Sequence, residues 1–159
     1  PAEVVSGCVA GYRSTFPERI FAFDHHAPGA RMFGLPDALA QLLDKLVSNA
    51  IDFQVQGTPI EVGLARAGRY LCLSVSNEGP PLPEGSTATL FSSMVSWRAQ
   101  GEAASGEEVG HLGMGLYIVR LIAEFHGGYP EAANRADGRG VVLRVYLAES
   151  DPEREAMKR

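Results

Sequence analysis

The stretch VGHLGMGLYIVRLIAEFHGG, residues 109–128, decides how this chain is interpreted. It places Gly110, Gly113 and Gly115 ahead of a run that is apolar on almost every side. Such a run predicts a buried helix from about Gly115 to His126. Glycines ahead of a helix let backbone N–H groups approach an anion, and the helix N-terminus adds partial positive charge. Phosphate binding is therefore one interpretation of this stretch, and a flexible hinge that closes a loop is the other.

Two common phosphate-binding motifs do not explain these glycines. The sequence contains no G-x-x-x-x-G-K-[ST] segment. The glycines also follow a long loop, whereas a dinucleotide-binding fingerprint requires a strand directly before them. Any phosphate site in this chain must therefore be built in another way.

Composition narrows the class of protein. The 159 residues, 45% of them hydrophobic, suit one domain that closes a core without disulfides. A net charge of -5 from interspersed acids argues against nucleic acid as a partner. No apolar run approaches the roughly 20 residues of a membrane span, so we expect no membrane contact by this domain and a cytoplasmic location. Cys8 and Cys72 lack metal spacing and are expected to be buried free thiols. Because the chain begins at Pro1 rather than at a methionine, we expect it to be part of a longer protein.

The apolar periodicity predicts the order α-β-α-β-β-lid-α-β-β. This order favours an α+β fold, a two-layer α/β sandwich with helices on one face of a mixed, mostly antiparallel sheet. The domain is assigned to residues 1–149, and residues 150–159 are a charged tail. The predicted helices are 2–16, 37–53 and 115–126. The predicted strands are 19–23, 60–64, 71–77 and 141–147, and the last of these pairs with a strand that precedes a turn at 137–138. Residues 25–29 are predicted to form another turn.

Two polar segments add to the glycine-rich stretch. On the second helix, Lys45 and Asn49 lie one turn apart, and an amide oxygen is a suitable ligand for Mg²⁺. At the end of a strand, Asn77 offers a carbonyl oxygen and an amide to a purine edge, while Gly79 lets the chain approach a flat ligand. For each segment the alternative is structural: a solvated helix face in the first case and a turn of Gly and Pro in the second.

Four segments in this order resemble a known family. LVSNAIDF, NEGPPLP, LFSSM and GHLGMGLYIV are similar to the N, G1, F and G2 boxes of the ATP-binding catalytic domain of sensor histidine kinases. These kinases belong to the GHKL superfamily with gyrase B, Hsp90 and MutL. The resemblance covers nearly the whole chain and implies the Bergerat fold with an ATP lid. More narrowly, the sequences of the segments DKLVSNAIDF and HLGMGLYIVRLIAEFHGG resemble those of the sensor kinase of a proteobacterial dedicated sortase system.

The resemblance implies a role for each matching residue. Asn49 stands at the Mg²⁺-binding asparagine, Asn77 replaces the aspartate that accepts a hydrogen bond from the adenine amino group, and Gly79 lies under the adenine. Lys45 is expected either to touch a phosphate or to pair with a neighbouring acid. The other implied ATP-binding positions lie in or beside the lid: Phe91, Arg98, Gly110, Gly113, Gly115 and Leu116.

Three positions depart from the family pattern. The Asn77 oxygen is uncharged, so its bond to adenine should be weaker than that of aspartate. His111 occupies a place where glycine is common, with Gly110 shifted one place earlier. Lys45 stands where related kinases often have asparagine and related ATPases have the glutamate that activates water. These departures keep two alternatives open, a degenerate module that acts only as a protein-interaction scaffold and an ATPase of the chaperone or mismatch-repair type.

The activity that the resemblance implies is protein-histidine kinase. ATP and Mg²⁺ are the expected cofactors, and the expected partners are the dimerisation domain of the same kinase, which carries the acceptor histidine, and a response regulator. None of His25, His26, His111 and His126 lies in a segment resembling H-E-x-x-x-P. We therefore expect no catalytic residue in this chain, because the acceptor histidine lies elsewhere. His126 is expected to be a partner of the helix dipole or a residue at the edge of the core.

Overall fold

A computed structural model describes residues 1–87, 89–92 and 114–150. Within these ranges the chain forms three helices and five strands in the order that the sequence predicts. No helix in the described part of the chain is both long and apolar enough to cross a membrane. The elements are α1 (Ala2–Thr15), β1 (Ile20–His26), α2 (Pro36–Phe53), β2 (Pro59–Ala67), β3 (Tyr70–Glu78), α3 (Gly115–Phe125), β4 (Tyr129–Asn134) and β5 (Gly140–Ala148).

The strands form one mixed sheet in the order β1-β2-β3-β5-β4. β1 runs parallel to β2, and the other three pairs are antiparallel. The two predicted hairpins are confirmed, and each has a glycine with positive φ in its turn, Gly68 at 61° and Gly138 at 71°. Only glycine adopts such a conformation without a steric penalty. The predicted α+β fold, with a mostly antiparallel sheet, is confirmed.

One face of the sheet carries the core. Along β3 every second residue is buried, and the buried positions of the strands form a single cluster with the helices. α2 buries six apolar side chains, whereas α1 and α3 bury two each. Since a fully buried Leu or Val contributes about 1.5–3 kcal/mol, α2 supplies most of the stability of the helical layer. The buried residues of α2 are Leu39, Leu42, Leu43, Leu46, Val47 and Ala50.

α1 is attached to both of its neighbours by polar contacts. The hydroxyl of Tyr12 donates to the Asp44 carboxylate on α2, and the guanidinium of Arg13 donates twice to the Phe21 carbonyl on β1, at 3.1 and 2.8 Å. Burial and then the hydrogen bond to Asp44 raise the pKa of Tyr12. Burial and the same carboxylate raise the pKa of Cys8. Cys8 and Cys72 are free thiols, as predicted, but they are only partly buried, whereas buried thiols were predicted.

α3 ends where the glycine after it was predicted to stop it. Gly127 has φ of 68°, and the next N–H donates back to the Ala123 carbonyl at 2.9 Å. His126 is only 7% exposed, and its Nδ1 donates to the Ile122 carbonyl at 2.7 Å. Its ring lies against Gly34, where a Cβ would approach Nε2 to 2.1 Å. His126 is therefore a residue at the edge of the core, one of the two roles expected for it.

The turn predicted at residues 25–29 was wrong in its first two residues. His25 and His26 were predicted to lie in a turn, but they are the last two residues of β1. The parallel pairing with β2 continues to His26, opposite Ala65, and the glycine with positive φ comes later, at Gly29. Both histidines are exposed, so their polarity carries little cost at an edge strand.

The predicted C-terminal tail, residues 150–159, is described only at its first residue. The backbone N–H of Ser150 donates to the Arg31 carbonyl at 2.8 Å, and residues 151–159 lie outside the described part, so the assignment of a tail stays a prediction.

Candidate functional site

The polar face of α2 is the base of the candidate site. Lys45, Asn49 and Phe53 follow one another at intervals of four residues and therefore line one side of the helix over about 12 Å. Lys45 and Asn49 are partly buried, and within the described residues neither side chain has a hydrogen-bond or ion-pair partner. The ion pair considered for Lys45 is thus not formed with any described acid. Two unpaired polar side chains on a half-buried face are available to a ligand.

Asn77 lies at the end of β3, close to the core. The alternation of this strand places it on the same face as Leu71, Leu73 and Val75, and it is 5% exposed. Its Nδ2 donates to the neighbouring Glu78 carbonyl at 3.1 Å. Its Oδ1 accepts no hydrogen bond from the described residues. A buried carboxamide thus keeps one acceptor free, as recognition of an adenine amino group would require.

The structure gives Gly79 a reason to be glycine that the sequence did not indicate. A Cβ at this position would lie 2.2 Å from the Phe53 carbonyl oxygen at the end of α2. The chain beside it is held by hydrogen bonds from Gly79 N–H to Arg139 O, at 2.9 Å, and from Val55 N–H to Glu78 O, at 2.8 Å. Close packing on α2 therefore requires glycine here, whether or not a flat ligand lies on the other side.

The other end of the α2 face meets the start of α3. A Cβ at Gly115 would lie 3.7 Å from Cδ of Lys45, so the aliphatic part of this lysine passes the N-terminus of α3. Leu116, the next residue, is partly buried and packs against the core. A lysine and a helix N-terminus are both electropositive, so bringing them together favours an anion between them. Of the predicted phosphate-side residues, the structure thus brings together Lys45, Gly115 and Leu116.

The remaining predicted positions belong to the lid. Phe91 is 7% exposed and packs in the core together with Leu90, so it fixes the start of the lid to the domain. Arg98, Gly110 and Gly113 lie outside the described residues, and so does His111. Their predicted roles stay predictions.

Two residues of the β4–β5 hairpin support the candidate site, although the sequence did not predict a role for them. A Cβ at Gly140 would lie 2.0 Å from the Asn77 carbonyl oxygen, so this glycine permits the pairing that positions the end of β3. Asn134 hydrogen-bonds the backbone of Leu82 in the loop after Asn77. No local pattern could have indicated these contacts, since they join segments more than 50 residues apart.

The same hairpin carries a carboxylate with a shifted pKa. The backbone N–H of Arg139 and then the guanidinium of Arg135 lower the pKa of Asp137. Asp137 accepts from the Arg139 N–H at 3.0 Å, and its other oxygen pairs with Arg135 at 3.0 Å. The ionised form of Asp137 thus holds the turn in shape.

Comparison with known proteins identifies the family. Residues 34–151 match the family described as histidine kinase-, DNA gyrase B-, and HSP90-like ATPase. The chain belongs to this family. Over 124 residues it is 34% identical to the bacteriophytochrome of Pseudomonas aeruginosa, covering 78% of this chain and 16% of that protein. Over 118 residues it is 36% identical to the sensor protein KdpD of Escherichia coli, covering 72% of this chain and 12% of that protein. The chain therefore spans a small part of the length of these relatives.

A solved structure shows the same fold. The catalytic domain of histidine kinase ThkA superposes with a TM-score of 0.75 at 26% identity, over 93% of this chain and 91% of that one. The family match, the relatives and this likeness agree on the type of domain. The chain is an ATP-binding catalytic domain of the sensor histidine kinase type, as its four sequence boxes predicted.

Proposed function

We propose that this domain binds Mg-ATP and presents its γ-phosphoryl group to a histidine on the dimerisation domain of the same kinase. The observation that supports it most is the arrangement along α2. The Asn77–Gly79 loop meets the helix at Phe53, and the N-terminus of α3 meets it at Lys45. A base-binding end and a phosphate-binding end are thus about two turns apart on one helix.

The described residues fit a nucleotide. The free Oδ1 of buried Asn77 is a suitable acceptor for the adenine amino group. Lys45 and the first N–H groups of α3, from Gly115 onward, suit the phosphates. Asn49, which has no partner among the described residues, lies between the two ends and would hold Mg²⁺ through its amide oxygen. Gly79 under the adenine, and Arg98, Gly110 and Gly113 over the phosphates, complete the proposal.

Bound Mg²⁺ would supply neutralisation of phosphate charge. The contribution of the chain itself is to bind and orient, because no described side chain of the site is placed as a base. Lys45 cannot take a proton while it is charged. We infer that the acceptor histidine belongs to a domain outside these residues and that a response regulator receives the phosphoryl group next. The isolated domain should therefore bind ATP but scarcely hydrolyse it.

Titration with a fluorescent ATP analogue, with and without Mg²⁺, tests the proposal. The parent domain should give a saturable signal that Mg²⁺ strengthens. Asn49→Ala should weaken binding about tenfold in Mg²⁺ and little in its absence, because only the metal contact is lost. Gln41→Ala, an exposed change on the same helix, is the matched control and should bind like the parent. Equal affinities of Asn49→Ala and the parent in Mg²⁺ would refute the metal role.

The same experiment separates the alternatives. A module that serves only as a protein-interaction scaffold gives no saturable signal. A GHKL ATPase gives steady release of phosphate from ATP by the domain alone. One of the relatives reported above is the sensor protein KdpD, and the similar solved structure is the catalytic domain of a histidine kinase, which favours the kinase.

The biological setting is a finer proposal. The wording of the N and G2 boxes supports a kinase that regulates a dedicated sortase system, with this domain on the cytoplasmic side of a membrane-bound sensor. Deleting the kinase gene should change the transcript level of a sortase gene in the same organism. An unchanged level would contradict this assignment and leave ATP binding unaffected.

A further inference from the structure

The loop that follows Asn77 is held by a side chain from another strand. Asn134 ends β4, and its carboxamide bonds both backbone groups of Leu82. Its Oδ1 accepts from the Leu82 N–H at 2.7 Å, and its Nδ2 donates to the Leu82 carbonyl at 3.2 Å. One side chain thus satisfies both backbone polar groups of Leu82, in a loop that has no regular secondary structure.

The strand register connects this contact to the base-binding end of the site. Asn77 on β3 and Asn134 on β4 both pair with Val141 on β5. Residues paired across neighbouring strands share a face of the sheet, so the two asparagines flank Val141 on the core side, two strand spacings or about 10 Å apart. The loop therefore leaves Asn77, crosses the end of β5 and is anchored at Asn134.

A second attachment comes from the same hairpin. The Gly79 N–H donates to the Arg139 carbonyl at 2.9 Å, and Asp137 holds this turn by accepting from the Arg139 N–H at 3.0 Å. Both attachments of residues 79–82 thus belong to the β4–β5 hairpin. The hairpin is a fixed frame for the loop.

We propose that Asn134 is a positioning residue for adenine recognition. By fixing Leu82 it sets the path of the loop and keeps the free Oδ1 of Asn77 turned toward the base. This role rests on the proposed function. Asparagine suits it because one short side chain carries both a donor and an acceptor. The two bonds lie at the surface, where water replaces them at small cost to folding, so their loss should affect the loop more than the fold.

Binding of two nucleotides tests the role. Affinities for ATP and for inosine triphosphate, which lacks the amino group, are measured in Mg²⁺ for the parent, Asn134→Ala and Glu131→Ala. The parent should prefer ATP. Asn134→Ala should bind ATP roughly three- to tenfold more weakly and inosine triphosphate within about twofold of the parent, so that the preference falls. Glu131→Ala is the control, because it removes an exposed ion pair with Arg144 from the same strand and should change neither affinity.

Amide hydrogen exchange supplies an independent measurement. In Asn134→Ala the Leu82 N–H should exchange faster, while the Gly79 N–H, bonded to Arg139, should not. Asn134→Asp is a second variant, for use if Asn134→Ala folds poorly. It keeps the acceptor for the Leu82 N–H but places a second oxygen against the Leu82 carbonyl, so it should show the same fall in the preference for ATP.

The outcomes separate the two proposals. A parent domain that binds no ATP overturns the proposed function and this inference with it. A parent that binds both nucleotides equally overturns the role of Asn77 at the adenine amino group and the positioning role, but not ATP binding itself. An Asn134→Ala variant that loses both affinities equally, or neither, overturns the positioning role alone.

Discussion

At the scale of single residues, Asn77 is a polar side chain at a position where the alternation of its strand predicts an apolar one. The alternation of β3 calls for an apolar side chain at this core-facing position, and the chain has a carboxamide. Nδ2 is satisfied by Glu78, and Oδ1 has no donor among the described residues. The free acceptor is available to a ligand, and the adenine amino group is the donor that the family resemblance implies.

Asn77→Asp should tighten ATP binding about three- to tenfold, because a charged acceptor makes the stronger hydrogen bond. It should also lower the free energy of unfolding by about 1 kcal/mol, since the donor to Glu78 is lost and a charge is buried. Isothermal titration with ATP and with inosine triphosphate measures the first effect, and urea unfolding measures the second. Unchanged ATP affinity would mean that the base is not bound at Asn77.

Gly79→Ala tests packing at the residue scale. The new Cβ meets the Phe53 carbonyl oxygen, a backbone atom at the end of a helix, so the variant should lose about 1–3 kcal/mol of stability in urea unfolding. Gly11→Ala is the matched control, because nothing lies within 4 Å of its Cβ in α1, and it should gain about 0.8–1 kcal/mol from helix propensity. Equal stabilities of the two variants would contradict the contact.

At the scale of elements, the helices and the two hairpins followed from periodicity, but the attachment of α1 did not. The apolar stripe of α1 indicated which side is buried. The polar contacts of Tyr12 with Asp44 on α2 and of Arg13 with the Phe21 carbonyl on β1 fix the position of α1 relative to these two elements. Arg13 thus bonds a backbone carbonyl of β1, which is an edge strand of the sheet.

Tyr12→Phe should make the domain about 1 kcal/mol less stable at pH 8 because the bond to Asp44 is lost. The pKa of folded Tyr12 is raised above its ordinary value of 10.0, so the folded state keeps a proton that the unfolded chain loses above pH 10. The stability from this pair is therefore present below pH 10 and is lost as the pH rises further. Urea unfolding between pH 8 and 11 should show the difference from the parent shrinking.

The stability of Tyr12→Phe must be compared with that of the parent at each pH, because another tyrosine also makes the stability fall in alkali. Burial raises the pKa of Tyr146 to about 12, so the parent itself should lose stability in alkali. Ser14→Ala, which removes an exposed hydroxyl from α1, is the control, and its difference from the parent should not vary with pH. A constant difference for Tyr12→Phe would contradict the role of the Tyr12 proton.

At the scale of the whole molecule, the candidate site lies where three elements of the two-layer sandwich meet. α2 carries the polar face, β3 delivers Asn77 and α3 starts beside Lys45. Binding a ligand there connects the helical layer to the sheet, so nucleotide should stabilise the domain as a unit.

Thermal unfolding measures this coupling. At about 100 times Kd, Mg-ATP should stabilise the folded domain by about 2.7 kcal/mol and raise Tm by roughly 5–10 °C. Removing the metal with EDTA should reverse most of the shift, and Asn49→Ala should show a smaller one in Mg²⁺. An unchanged Tm at saturating nucleotide would count against the whole site.

Much of this domain could be predicted from local patterns. Hydrophobic periodicity and turn glycines were sufficient for the order of elements and for both hairpins, because these depend on neighbouring residues. Four ordered segments were sufficient for the family. The length of β1 was missed because its last three residues, Asp24, His25 and His26, are polar and owe their conformation to pairing with β2. The contacts that position the candidate site were also missed, namely Gly79 against Phe53, Gly115 beside Lys45 and Asn134 on Leu82. Each of them joins residues far apart in the chain, and no local periodicity records which distant backbone a side chain will meet once the sheet and helices have packed.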